Sequence, residues 1–148
     1  MLSTTYLDTS VLMALLCPEP ETDWIFGWYR SSEKEPLLSA HWIRTELASA
    51  LAIKQRSQQL KAQEAALAWV AGLRILQSVR CVSVQDEDFE EAAKYCSNIS
   101  SKMRGPDALH LSVAKRLGCK RIATLDTVLA EQARAIKINP IVFGSENV

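Results

Sequence analysis

The stretch Thr4-Thr5-Tyr6-Leu7-Asp8-Thr9-Ser10 joins a run of β-branched and aromatic residues to an acid and two hydroxyls. It predicts a short strand that ends at Asp8. Ser10 is placed to cap a helix over Val11 to Leu16, and Pro18 ends that helix. The same junction returns near the other end of the chain. Arg121 to Leu125 reads as a strand, Asp126 closes it, and Thr127 to Ile136 reads as a helix. Leu7-Asp8-Thr9 and Leu125-Asp126-Thr127 match, an echo too short to be a repeat.

Between these junctions, short strands alternate with helices. Glu21 to Arg30 is a predicted helix with Ile25, Trp28 and Tyr29 on one face, and Pro36 to Ala40 is a strand. Trp42 to Gln58 and Leu60 to Leu76 are long helices. Val79 to Val84 is a strand, and Asp86 to Ser97 is a helix with acids in its first turn. Pro106 precedes a helix over Asp107 to Leu117, and Pro140 to Phe143 is the last strand. Alternation of this kind predicts an α/β fold, a parallel sheet covered by helices on both faces. The polar stretch Ser97 to Gly105 reads as a loop. No domain boundary shows in the 148 residues.

Composition narrows the function. Hydrophobic residues make up 48% and charged residues 23%, which excludes disorder and leaves a chain able to bury a core of its own. The formal net charge is zero, so a grip on nucleic acid by bulk electrostatics is excluded and would have to come from a local patch, a metal site or a partner. Cys17, Cys81, Cys96 and Cys119 form no C-x-x-C pair and have no histidine nearby, which argues against zinc. They read as reduced, small core residues. No apolar run is long enough to span a bilayer, and the first residues carry no signal-peptide pattern, so a cytoplasmic protein is expected.

In an open parallel sheet, ligands bind beyond the carboxyl ends of the strands. Asp8 and Asp126 stand there on two different strands. Each can equally serve as a loop acid capping the next helix. Glu46 lies on or beside the buried stripe formed by Ile43, Leu47, Ala50 and Leu51. A carboxylate there needs a partner, since uncompensated burial of charge costs several kcal/mol. Arg44 and Lys54 project elsewhere on the helix, and a cation shared with other acids answers the need better. Asp107 begins a helix and shares its face with His110, Leu111 and Ala114, which aims it along the sheet. The acids from Asp86 to Glu91 read instead as a solvated helix start.

The segments Tyr6-Leu7-Asp8-Thr9-Ser10, Thr45-Glu46-Leu47-Ala48, Pro106-Asp107-Ala108-Leu109-His110-Leu111 and Thr124-Leu125-Asp126 resemble the successive motifs of PIN domains. Their style is closest to the VapC toxins of prokaryotic toxin–antitoxin pairs. Any one motif is weak. Four in order, each at a predicted strand end or helix start, make the match specific, and the resemblance spans nearly the whole chain. It implies that residues 1–148 form one PIN domain, a three-layer α/β/α fold with a five-stranded parallel sheet in the order 3-2-1-4-5. It implies an acidic cluster of Asp8, Glu46, Asp107 and Asp126 that binds Mg²⁺ or Mn²⁺ and cleaves RNA. Thr9, Ser10 and Thr124 match the hydroxyl residues that steady the cluster. A homodimer and a cognate antitoxin are the partners implied. Gly105-Pro106 departs from the Arg or Ala that the family pattern carries before this Asp. His110 is common in such motifs and reads as a packing or hydrogen-bonding residue, not as a metal ligand.

The chemistry suits these groups. Phosphodiester cleavage adds negative charge to a phosphate, and hard divalent cations with oxygen ligands neutralise it while activating a water. Asp8 and Asp107 are the expected main ligands, with Glu46 orienting the attacking water and Asp126 completing the site. Lys102, Arg104 and Arg44 are placed to contact phosphates, the Lys102–Arg104 loop foremost because it adjoins Asp107. Trp24, Trp28, Trp42 and Trp69 suit core packing or a subunit contact better than base stacking. The alternative is a non-catalytic RNA-binding or assembly module on the same fold. Its sequence mark would be a missing acid, and all four are present. A phosphotransfer enzyme fits poorly, because position 10 is Ser where Asp-x-Asp is needed. A serine hydrolase lacks the G-x-S-x-G elbow.

Overall fold

The computed structural model describes residues 3–31 and 35–143. β1 (Thr5–Leu7) leads into α1 (Thr9–Leu16) and α2 (Thr22–Arg30), then β2 (Leu37–Ala40), α3 (Trp42–Arg56) and α4 (Ala62–Leu76). β3 (Arg80–Val82), α5 (Asp86–Ser97) and a 3₁₀ turn (Ile99–Ser101) follow. α6 (Gly105–Arg116), β4 (Arg121–Ala123), α7 (Thr127–Ala135) and β5 (Asn139–Pro140) complete the order. The strands form a parallel five-stranded sheet in the order β3-β2-β1-β4-β5, as the resemblance implies.

Strand alternation divides the core into two layers. Leu7, Leu37 and Ala123 face α1 to α4, where Val11, Leu12, Ile25, Ile43 and Leu47 are buried. Tyr6, Leu38, Ala40 and Ile122 face α5 to α7, where Leu111, Val113 and Leu129 fill the other half. α3 and α4 approach closely at Gly72, where an added Cβ would lie 2.7 Å from Leu47 Cδ2. Among the described residues, no helix is long and apolar enough to cross a membrane.

Several local expectations shift. α1 begins at Thr9, not Val11, so Ser10 lies inside the first turn and does not cap it. α6 begins at Gly105, with Pro106 in its first turn, where a missing N–H costs nothing. β5 comes earlier than expected and is shorter. Asp88 is not solvated: only 2% of it is exposed, and it accepts from Arg116 Nε at 2.8 Å and from the Gln85 amide at 2.8 Å. Cys17 and Cys119 are core residues, but Cys96 is exposed.

Candidate active site

Asp8 follows the last residue of β1, and its amide still donates to the Ala123 carbonyl of β4 at 3.0 Å. Its backbone remains extended, so its side chain leaves the sheet at the carboxyl edge. Two hydroxyls hold Oδ2: Ser10 donates at 2.7 Å and Thr124 at 2.8 Å. Each hydroxyl is itself anchored by backbone. Leu125 N donates to Ser10 Oγ at 2.9 Å, and Asp126 N donates to Thr124 Oγ1 at 3.0 Å. Asp8 makes no side-chain cap to α1. Asp126 does cap its helix, accepting from Leu129 N through Oδ1 at 2.9 Å, which leaves Oδ2 toward Arg104 at 3.8 Å.

Glu46 finds a partner that the sequence did not suggest. His110, fully buried on α6, hydrogen-bonds through Nε2 to Glu46 Oε1, and Thr9 donates to the same oxygen at 2.8 Å. Nδ1 of His110 lies 2.5 Å from Tyr6 Oη. Lys54 is not engaged with Glu46; it pairs with Glu19 at 3.3 Å. Burial raises the Glu46 carboxyl, but the His110 hydrogen bond and charge and the Thr9 hydroxyl outweigh it, so Glu46 titrates below the usual range. The balance in His110 is complementary. Burial lowers it, while Glu46, Asp8 and Asp107 overcome that and raise it.

One ligand atom from each of Asp8, Glu46 and His110 falls within 4.8 Å of the others, close enough for a single ion to bridge. Asp107 and Asp126 stand outside this tightest set, yet their charges reach it. Asp107 is raised to about 6 by burial first, then by the charge of Asp126 and also by Asp8 and Glu46, against the lowering effect of Arg104. All four predicted acids therefore share one electrostatic neighbourhood. Arg104 stands over two of them, with Nε 3.6 Å from Asp107 and Nη2 3.8 Å from Asp126. Its side chain is otherwise open to solvent. Lys102 is exposed and takes a left-handed backbone at φ 57°. Arg44 is exposed too, but its charge acts on the Cys81 thiol of β3.

A groove of about 340 Å³ runs along α3 from the acids, with Thr9, Glu46, Trp42, Ser49 and Ile53 among its walls. Trp24 is exposed, and Trp28 packs edge to face on Phe143 at 5.5 Å. Beside His110, sequence reasoning also undervalued Tyr6. Its place two residues before Asp8 on the same strand was a usable signal, since period two turns both to one side.

The PIN domain family model matches residues 5–135. Ribonuclease VapC46 of Mycobacterium tuberculosis is 31% identical over 133 residues, 88% of this chain and 91% of that protein. Among solved structures, VapC20 of M. tuberculosis, described as a sarcin–ricin loop cleaving toxin, superposes with a TM-score of 0.67 at 18% identity. The match covers 86% of this chain and 94% of that one. VapBC-5 of M. tuberculosis, a member of the VapBC family of toxin–antitoxin systems, gives 0.63 at 16% identity, over 94% and 98%. With its sheet order and nearly its full length accounted for, the chain belongs to the PIN domain family.

Proposed function

We propose that this protein is an endoribonuclease whose four acids, Asp8, Glu46, Asp107 and Asp126, hold a divalent cation, Mg²⁺ or Mn²⁺. The observation that carries the reading is geometric: Asp8 and Glu46 offer ligand atoms within 4.8 Å of each other, and Arg104 stands over both Asp107 and Asp126. Burial and the neighbouring carboxylates push the Asp107 carboxyl up to about 6, in keeping with that crowding. Like charges crowded in this way cost free energy unless a cation is shared among them, and carboxylate oxygens are the donors hard divalent ions prefer. A bound cation supplies charge neutralisation at the scissile phosphate and activation of water.

The chain's own groups do the rest. Asp8 offers Oδ1, because Oδ2 is taken by Ser10 and Thr124. Asp107 is the second main ligand, and Asp126 completes the site through the oxygen not used for capping. Glu46, steadied by Thr9, accepts a hydrogen bond from the attacking water. A bond forms between the water oxygen and phosphorus, the bond from phosphorus to the 3′ oxygen breaks, and that oxygen leaves with a proton. The products carry 5′-phosphate and 3′-hydroxyl ends. Arg104 and Lys102 contact phosphates beside Asp107, and Arg44 engages RNA farther along α3.

The relatives support a biological setting. A 31% identical ribonuclease and a fold shared with toxin–antitoxin proteins favour a toxin held in check by a cognate antitoxin. A homodimer working in the cytoplasm completes this reading. A non-catalytic module on the same fold is the alternative, and the presence of all four acids weighs against it. Sequencing of RNA ends after incubation with the purified protein, in Mg²⁺ or Mn²⁺ and in chelator, tests the proposal. New 5′-phosphate ends that vanish with chelator and with Asp8→Asn are expected. Ends that persist in a folded Asp8→Asn variant would overturn the assignment.

A further inference from the structure

Tyr6 and His110 have no role in the reaction just described, yet both side chains are fully buried at its edge. Burying two polar groups costs free energy unless each finds partners, so their arrangement calls for a physical account. Tyr6 faces the α5–α7 layer, and α6 turns His110 to meet it. Oη and Nδ1 are 2.5 Å apart, and the rings stand edge to face at 5.5 Å and 64°. Beside β1, the buried Ser39 hydroxyl of β2 donates to the Leu7 carbonyl at 2.8 Å. On the far side of the ring, Nε2 is hydrogen-bonded to Glu46 Oε1. A continuous polar chain therefore runs from the phenol on β1 through the imidazole on α6 to the acid on α3.

A Glu side chain on the edge of a helix samples several rotamers unless something holds it, and each freely rotating bond dilutes the productive geometry. Here the holding group is a ring fixed at both nitrogens. We propose that Tyr6 and His110 are positioning residues: Tyr6 sets the plane of the imidazole, the imidazole sets the Glu46 carboxylate, and Tyr6 influences cleavage only through His110. The inference rests on the nuclease reading above. It also assigns His110 a place outside the cation's coordination, although Nε2 lies within 4.8 Å of ligand atoms of Asp8 and Glu46. Both ring nitrogens already have partners within the protein.

The test is a double-mutant cycle on the full chain, using a fluorescein-labelled RNA that carries the site found by end sequencing, with Mn²⁺ as the cation. Tyr6→Phe lowers the single-turnover rate about tenfold and His110→Ala about a hundredfold, the range for groups that orient a site's ligands. KM stays within about twofold, because ground-state binding is untouched. The double variant is no slower than His110→Ala alone. Additive losses overturn the dependence of Tyr6 on His110. Wild-type rates in all variants overturn the proposal while the nuclease reading, checked by Asp8→Asn, stands. If His110→Ala does not fold, His110→Gln, which retains an amide donor toward Glu46, replaces it and recovers part of the rate. Two readouts do not depend on turnover. Pulsed EPR of bound Mn²⁺ shows no imidazole ¹⁴N coupling, and finding such coupling makes His110 a ligand and defeats the proposal. In NMR, the His110 ring proton toward Glu46 is protected from exchange in the wild type and loses protection in Tyr6→Phe. If the wild type cuts no RNA, the nuclease reading fails on its own, and equal protection in Tyr6→Phe then defeats the positioning proposal separately.

Discussion

Thr124 donates its hydroxyl proton to Oδ2 of Asp8 at 2.8 Å, and the Asp126 amide donates to that hydroxyl at 3.0 Å. The backbone beyond β4 thus sets the direction of a carboxylate on β1. The other oxygen of Asp8 stays on the side of His110, 3.9 Å from Nε2. Thr124→Val keeps the shape and removes both roles of the hydroxyl. RNA cleavage falls about 10–100-fold, as for groups that orient a ligand. Stability falls by about 1 kcal/mol, because a half-buried amide loses its acceptor. Single-turnover rates and denaturant midpoints measure the two effects. Undiminished cleavage in a merely less stable variant would make Thr124 structural only.

Asp107 gives a pH-dependent signature. Its carboxyl titrates at about 6 in the fold, against about 3.9 in an unfolded chain. Between those values the folded protein binds more protons than the unfolded one, so this group's contribution to stability declines as pH rises through the window. Without metal, Asp107→Asn removes the penalty. The variant is more stable than wild type by about 1–3 kcal/mol at pH 7, and the gain disappears below about pH 4. Thermal melts in chelator at both pH values decide it. A gain that is the same at both would show that charge is not its source.

Arg104 contributes in two opposed ways. Its guanidinium lies 3.6 Å from Asp107 and 3.8 Å from Asp126, where it competes with a cation, yet it is exposed enough to swing toward a phosphate. Arg104→Gln therefore tightens Mn²⁺ binding and raises KM for RNA. Each change is about two- to fivefold, the scale of an exposed ion pair. Calorimetric titration with Mn²⁺ reads the first and steady-state kinetics the second. Weaker metal binding in the variant would contradict the competition.

Asp88 offers a control outside the acid cluster. It is buried, caps α5 and binds Arg116. Asp88→Ala leaves the Gln85 amide without its acceptor and removes one partner of Arg116, which keeps its bond to the Ser83 carbonyl, at a cost of about 1–3 kcal/mol. Urea unfolding reads the loss, and kcat of the folded fraction is unchanged. A fall in kcat larger than the unfolded fraction explains would tie α5 to the chemistry.

The alternation of strands and helices was legible because it depends on local periodicity. So were the acids at strand ends, since a parallel sheet gathers those ends on one edge. What failed to show required helical phase or contacts between distant segments. On α5, Phe89 is 54% exposed, while Asp88 and Ala92, four apart, face in. A buried acid that brings its own arginine looks, in sequence, like one more member of a charged run. The His110–Glu46 bond joins positions 64 apart and depends on how α3 and α6 sit on the sheet. Ser10 looked like a cap because the helix start was misplaced by two residues, and its hydroxyl instead serves Asp8.

The bond from Thr124 to Asp8 joins residues 116 positions apart, and Asp126 lies farther still along the chain. A ribosome making this protein releases β1, β2 and α3 well before β4. Asp8 and Glu46 must therefore wait, unarmed, for the fourth strand to emerge and slot beside the first. On the nuclease reading, translation shields itself: the growing polypeptide cannot attack RNA near the exit tunnel until β4 has emerged, and an inhibitor made alongside it has that interval in which to accumulate.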